Sequence, residues 1–573
     1  MTPVTFNDTL GWLHTPRGGV GRVAVLICPG MMQDALLSHC SLRVLGERLA
    51  EAGYWALRFD LPGTADSLAE GDVEPPEGHW QSWQNGIDGA ADWLRETTGA
   101  RELVFCGLRI GATLATLVAS RRTDVAAVIQ IAPVVRGNSY VRQLLVQAQL
   151  QTGRPLPADA DLVFYEFRLS PRTLAEMRAV DLRQVTPRPG QKMALYPRAD
   201  SRLIDECTQA WTAAGAAVTR GPWTRLEPML RHNIIEENTL ADFSDVVTWL
   251  SRAVPYDATH RAVTPPATPL ALQTMEYIET PMLFGRRGRL FGVLCRPARG
   301  QPDAAVIITN AGRDPHYGSC RQSVTLARQF ARAGIASLRM DFAGLGDSLG
   351  PIGKENFLTP MFESDRVPDI RGAIDALERL GYRRFALQGL CAGAYHSLQG
   401  SLHDPRVSTL LLVNIPLFSL PGEVMEYLTH RSQSFAHYIG RMTSLDGLKR
   451  LFTGRVNVLR ILRGQVDHVR MRTAETVQGL ASKVGVADRR TPARRAMADL
   501  SARGVRTLFL FSAGQGEIDA FAREFGPAGQ GLAGYPGAEM HVIEDMDHDM
   551  SQAPGRAVGQ ALMVKFMAPP ASA

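Results

Sequence analysis

The pattern Gly-x-x-x-Gly, placed where an apolar strand gives way to a small-residue helix, occurs twice in this chain, 282 residues apart. Gly389-Leu390-Cys391-Ala392-Gly393 follows an expected strand from Arg384 to Gln388, and Gly107-Leu108-Arg109-Ile110-Gly111 follows one from Leu103 to Cys106. Such a turn carries the chain from strand to helix so sharply that side chains on its flanking residues would crowd it, and it holds its central residue exposed at the apex. One apex holds cysteine, a nucleophile. The other holds arginine, which cannot attack a carbonyl.

Aligning the halves on these turns brings further segments into register. Ala52–Asp60 matches Ala333–Asp341, the turn Gly63–Ser67 matches Gly344–Ser348, Ile87–Leu94 matches Ile370–Leu377 as a helix, and Val125–Pro133 matches Val407–Pro416. The offset stays between 281 and 283 residues, which identifies a tandem duplication. Within a half, short apolar runs such as Val23–Cys28, Trp55–Phe59 and Ala126–Ile131 alternate with helical patterns. Near-continuous apolar runs suit parallel strands buried on both faces, and their alternation with helices implies a doubly wound, mostly parallel sheet with right-handed crossovers. With the elbow added, the expected fold class is α/β, as two tandem α/β-hydrolase domains. The expected division is 1–253 for a first, inactive domain, 254–274 for a proline-rich linker, and 275–568 for a second domain carrying a helical lid at about 419–505. Pro569 to Ala573 reads as a frayed tail.

At 573 residues the chain exceeds what one core supports. A net charge of +5 over that length is too dilute to argue for nucleic acid. No apolar run approaches the roughly 20 residues of a membrane span, and the first residues lack a secretory leader's pattern. Seven scattered cysteines in no ligand spacing indicate neither a disulfide framework nor a metal site. A cytoplasmic protein needing no cofactor is expected.

A cysteine nucleophile needs a base, and the base a carboxylate to orient it. In this fold the chain order is nucleophile, acid, histidine. The strand Thr507–Phe511 runs into Gly514-Gln515-Gly516-Glu517-Ile518-Asp519, which makes Glu517 the first candidate acid and Asp519 the reserve. After the strand Glu539–Ile543 comes His548, placed where the base belongs; His541 reads as a strand residue. The oxyanion hole is expected from the N–H of Ala392 and from Gly312 or Arg313, on the loop after the strand Ala305–Thr309. His316 and Arg321 on that loop are candidates for substrate contact or for solvated surface. The basic stretch Arg455–Arg506, with Arg489, Arg490, Arg494 and Arg495, reads as a solvated face or as a site for the phosphates of an acyl carrier. In the first half Arg109, Asp200 after the strand Lys192–Tyr196, and His232 keep the order of the triad without a nucleophile. Arg109 there suits a carboxylate or phosphate, or else marks a degenerate domain.

Certain segments carry a closer resemblance. Gly107–Ala112 followed by Ala132-Pro133-Val134-Val135-Arg136-Gly137 resembles the type 2 hydrolases associated with the exosortase A system. Gly389–Tyr395, the turn Arg339–Ser348, Leu283–Gly285 and Leu290–Leu294 resemble the type 1 hydrolases of that system. The resemblance implies cytoplasmic hydrolases encoded beside exopolysaccharide export genes, as separate chains rather than fused. Dienelactone hydrolases and polyhydroxyalkanoate synthases also use cysteine elbows, as analogies of mechanism. A thiolate attacks thioesters and activated esters, and its acyl-enzyme is a thioester that passes its acyl group on readily. The reading is therefore an acyl hydrolase or acyltransferase on a small-molecule or carrier-bound ester or thioester, in exopolysaccharide or secondary-metabolite biosynthesis. The alternatives are an ester or peptide hydrolase of unrelated substrate and a non-catalytic scaffold.

Overall fold

The computed structural model describes residues 1–16, 21–152, 160–230, 241–255, 271–350, 362, 365–419 and 491–568. In the first half the strands are β1 (Thr2–Phe6), β2 (Thr9–His14), β3 (Val23–Cys28), β4 (Trp55–Phe59), β5 (Glu102–Leu108), β6 (Val125–Ile131), β7 (Leu162–Phe164), β8 (Phe167–Leu169), β9 (Lys192–Tyr196) and β10 (Ala217–Arg220). In the second they are β11 (Leu272–Gln273), β12 (Tyr277–Phe284), β13 (Leu290–Pro297), β14 (Ala304–Ile308), β15 (Ala336–Asp341), β16 (Arg384–Leu390), β17 (Val407–Val413), β18 (Arg506–Ser512) and β19 (Ala538–Ile543).

One sheet has the order β1-β2-β4-β3-β5-β6-β9-β10, with β7 and β8 set aside as a hairpin of their own. The other has β11-β12-β13-β15-β14-β16-β17-β18-β19. Without the two-residue edge strand β11, the second order repeats the first strand for strand. The shared detail extends to irregularities. Each elbow strand shifts register beside its neighbour at matching places, Leu103/Val104 and Phe385/Ala386. Helices cover both faces: Ile87, Ala91 and Leu94 of helix His79–Thr98 lie in one core, Ile370, Ile374 and Leu377 of helix Val367–Arg379 in another.

Several boundaries differ from expectation. Each sheet opens with an antiparallel pair, β1–β2 and β12–β13, that apolar runs did not announce. Strand β2 is buried at every position although it reads Thr-Leu-Gly-Trp-Leu-His, so neither alternation nor a continuous apolar run marks it. The expected linker is shorter than 254–274. Val254 is 3% exposed and its carbonyl accepts from Tyr54 Oη at 2.9 Å, while Leu272–Gln273 already pairs with β12. Of the expected lid, 420–490 lies outside the described residues, and so does the tail at 569–573. Residues Pro492–Ala502 are instead a crossover helix entering β18, capped by Thr491 and burying Ala493, Ala496, Met497 and Leu500. That apolar face, period 3.6, places it under the sheet rather than over a site.

The halves pack through matched surfaces. Asp347 of the second half receives Arg58 Nη2 at 2.7 Å and His39 Nε2 at 3.0 Å from the first. Asp66 of the first half receives Arg339 Nη2 at 2.9 Å and His316 Nε2 at 2.6 Å from the second. Arg58 and Arg339 are repeat equivalents, and so are Asp66 and Asp347, each pair 281 apart. Leu10 and Trp12 of β2 pack with their equivalents Phe291 and Val293 of β13, the Trp12 and Phe291 rings 4.6 Å apart at 68°. Residue i meeting j while j's equivalent meets i's is the signature of an isologous two-fold contact, here within one chain.

His316 and Arg321 are therefore not solvated surface residues but parts of the contact between the halves. Both are 3% exposed. His316 Nδ1 also meets Asp341 Oδ2 at 2.8 Å, and Arg321 donates to the carbonyls of Ala65 and Ser67 at 2.7 Å each, across the interface. Burial pulls the His316 pKa down, but Asp66 and Asp341 outweigh it and raise it well above the usual histidine value, so the ring is an imidazolium clamped between carboxylates.

Candidate active site

Cys391 stands between β16 and helix Ala392–His403 with φ 54° and ψ −118°, a conformation that costs a non-glycine residue energy and lifts its side chain off the sheet. Arg109 repeats it with φ 55° and ψ −122°. The flanking glycines are required sterically. A Cβ on Gly393 would lie 2.5 Å from Asn310 O, and one on Gly111 would lie 1.9 Å from Pro29 O. The elbow helix thus presses against the loop after β14, where the second oxyanion donor was expected. In that loop Asp314 N–H donates to Ala311 O at 3.0 Å, closing a turn whose central residues are Gly312 and Arg313, with Gly312 at φ 59°. Ala392 opens the elbow helix.

The loops after β18 and β19 hold the other candidates. Glu517 is in the first turn of helix Gly516–Phe525, and its Oε1 lies 3.2 Å from His548 Nδ1. Both side chains are buried, as is Cys391, at 6%, 9% and 8% exposure. Asp519, two residues along the same helix, is exposed and turned away. His541 is in β19 beside Glu539 and is not brought to this cluster.

Two residues that sequence reasoning passed over lock the histidine loop to the sheet. Asn414 Nδ2 donates to His548 O at 2.9 Å, and Ser512 Oγ donates to Asp547 O at 2.7 Å. Asn414 also accepts from Ser512 N at 2.8 Å. A signal was present: Asn414 ends β17 at φ 46°, a conformation asparagine tolerates. Cys391 N donates to Val413 O at 3.0 Å, so nucleophile, acid and histidine all depend on the carboxyl ends of adjacent strands.

The first half arranges its counterparts differently. Arg109 is 11% exposed and pairs with Asp34 Oδ2 at 3.1 Å. Asp200 is 86% exposed and its nearest cation is Arg220 at 3.9 Å, so it does not meet Arg109. His232 lies outside the described residues, as do Arg489 and Arg490. Arg494 donates to the Glu524 carbonyl at 2.7 and 3.1 Å.

The serine aminopeptidase S33 family matches residues 21–180, from β3 through helix Pro171–Ala179 and across the Arg109 elbow. The fold is that of the α/β hydrolases. Solved structures similar to this chain include a lidless α/β serine hydrolase from Xanthomonas campestris, 15% identical, covering 44% of this chain and 92% of its own, with a TM-score of 0.29. A cold-adapted esterase from an Arctic intertidal metagenomic library is 15% identical, covering 52% of this chain and 97% of its own, with a TM-score of 0.30. A putative dienelactone hydrolase from Klebsiella pneumoniae is 13% identical, covering 51% and 98%, with a TM-score of 0.31. No curated protein matches the chain. No helix among the described residues is long and apolar enough to cross a membrane.

Proposed function

We propose that the second half is an acyl hydrolase or acyltransferase that works through a thioester on Cys391. The observation that carries this is the strained cysteine apex at φ 54° together with the buried His548–Glu517 pair at 3.2 Å on neighbouring strand ends. Glu517 occupies His548 Nδ1 and fixes the tautomer, which leaves Nε2 to accept the thiol proton. The thiolate sulfur then bonds to the acyl carbon of an ester or thioester, the carbonyl oxygen takes up negative charge, and the N–H groups of Ala392 and of Gly312 or Arg313 stabilise it. As the carbonyl re-forms, the bond to the leaving alcohol or thiol breaks and that group takes the proton from His548. Water or an acceptor alcohol or amine, deprotonated by His548, attacks the thioester in a second pass and releases Cys391. Metal and cofactor chemistry play no part in this proposal.

Placement in exopolysaccharide or secondary-metabolite biosynthesis, on a small-molecule or carrier-bound acyl group, rests on the resemblance to the exosortase-A-associated hydrolases. Steady-state cleavage of p-nitrophenyl esters and of acyl-pantetheine thioesters tests the chemistry. Cys391→Ala and His548→Ala are expected to fall to the buffer rate. Undiminished turnover in Cys391→Ala would refute the assignment.

A further inference from the structure

The carboxyl ends of β5, β6 and β9 in the first half surround an open pocket of about 250 Å³. Doubly wound sheets bind ligands at this end. Arg109 lies at the pocket's floor, while Arg136 and Arg198 are exposed at its mouth. The repeat shows what each replaces. Arg109 stands where the second half has Cys391. Ala132 and Asn414 end equivalent strands with φ 48° and 46°, which aligns the following loops and sets Arg136 against Phe418. Ala132 N donates to Tyr196 O and Asn414 N to Leu510 O, each at 2.8 Å, so two residues further on Arg198 stands against Ser512. A thiol, an apolar ring and a hydroxyl in one half are thus three guanidinium groups in the other, all turned to one cavity.

We propose that this pocket binds a small molecule through an oxyanion group, phosphoryl or carboxylate, independently of the chemistry at Cys391. Of the acids nearby, Asp34 pairs with Arg109, Asp181 holds Arg183 Nε at 2.9 Å, and Asp200 points to solvent. Among the described residues neither Arg136 nor Arg198 has an ion-pair partner within 4.0 Å; Asp181, bridged to Arg136 through the backbone, is shared with Arg183, so positive charge is in excess at the cavity. Helices Ile110–Ala119, Gly137–Thr152 and Arg202–Ala213 also begin at its wall, adding the positive ends of their dipoles. Arg109 Cζ sits 6.0 Å from the centre of the buried Tyr140 ring, which holds the guanidinium in place at the floor. A forked guanidinium matches two oxygens of a phosphoryl or carboxylate group at once.

Isothermal titration calorimetry on the full chain at low salt, with inorganic pyrophosphate and with citrate, tests this. One-to-one binding of pyrophosphate alone assigns the phosphoryl group, and of citrate alone the carboxylate. In either case Arg136→Gln and Arg198→Gln, both on the exposed rim where the fold does not depend on them, are expected to weaken binding about tenfold or more each. Alkylating Cys391 is expected to leave it unchanged. Binding of neither anion, affinity unchanged from the native chain in both rim variants, or loss on alkylation would overturn the proposal.

Discussion

At the scale of single residues, six of the seven cysteines are held as thiols by burial. Burial raises the thiol pKa of Cys106, Cys207 and Cys320 to about 12, and pushes those of Cys28, Cys40 and Cys295 up as well. A thiol held protonated in an apolar setting is a poor nucleophile. Brief iodoacetamide treatment of the folded chain at neutral pH is therefore expected to add one group, at Cys391; prior labelling at any other cysteine in the peptide map would contradict this. Spacing from Gly514 made Glu517 the first candidate acid, with Asp519, two residues on, in reserve. Which one faces His548 depends on the first turn of helix Gly516–Phe525, where only Glu517 points inward. Glu517→Gln is expected to lower kcat roughly a hundredfold or more by releasing the histidine tautomer, and Asp519→Asn to leave it within about twofold, since its exposed side chain touches none of the site. Equal losses in the two would remove Glu517 from the triad.

At the scale of elements, the elbows were legible because their chemistry is local: glycines at fixed spacing, a strand before and a helix after. The tightness of the second elbow gives a test of its own. Gly393→Ala would force the Asn310 carbonyl and Thr309 Oγ1, 2.5 and 2.8 Å from the new Cβ, to move. The variant is expected to melt several degrees lower and to acylate at least tenfold more slowly, because the displaced loop carries the second of the two proposed oxyanion donors. An unchanged acylation rate would detach that loop from the mechanism. The opening hairpins β1–β2 and β12–β13 were not legible, since strands buried on one sheet edge and against the other half lose their alternation. Neither was the burial of His316 and Arg321. Their partners Asp66, Ala65 and Ser67 come from the other repeat, some 250 residues away in sequence, and only the packing of the halves joins them.

For the whole molecule, that packing makes the halves one unit. Asp66→Asn removes the carboxylate shared by Arg339 and His316, leaving these buried cations with only Glu279 and Asp341 of their own half, and is expected to cost about 3 kcal/mol or more in a denaturant melt; a loss below about 1 kcal/mol would mean the interface is not held by these pairs. Stability should also depend on pH from both sides. Burial raises the carboxyls of Asp66 and Asp347, but His316 and Arg339 around the first, and Arg58 and His39 around the second, lower them below the usual range. Their contribution is present above about pH 4 and lost as pH falls through the depressed values. Burial raises Glu166 and Asp314 to about 7 and Asp60 well above its usual range. These groups favour the folded state while protonated, so their contribution is lost as pH rises from about 4 through 7, and that of His316 at higher pH still. The melting temperature is expected to be higher at pH 5.5 than at pH 8.5; the reverse order would contradict the assignment. The repeat, the fold and the two elbows were readable from one sequence because each is a pattern copied twice. The two apices differ by arginine against cysteine, and intact-protein mass spectrometry after incubation with an acyl-pantetheine thioester tests that difference most directly. The account predicts a single acyl adduct on the native chain, mapped to Cys391 and absent from Cys391→Ala, whereas an adduct that survives in Cys391→Ala, or none on the native chain with any activated acyl donor, would contradict it.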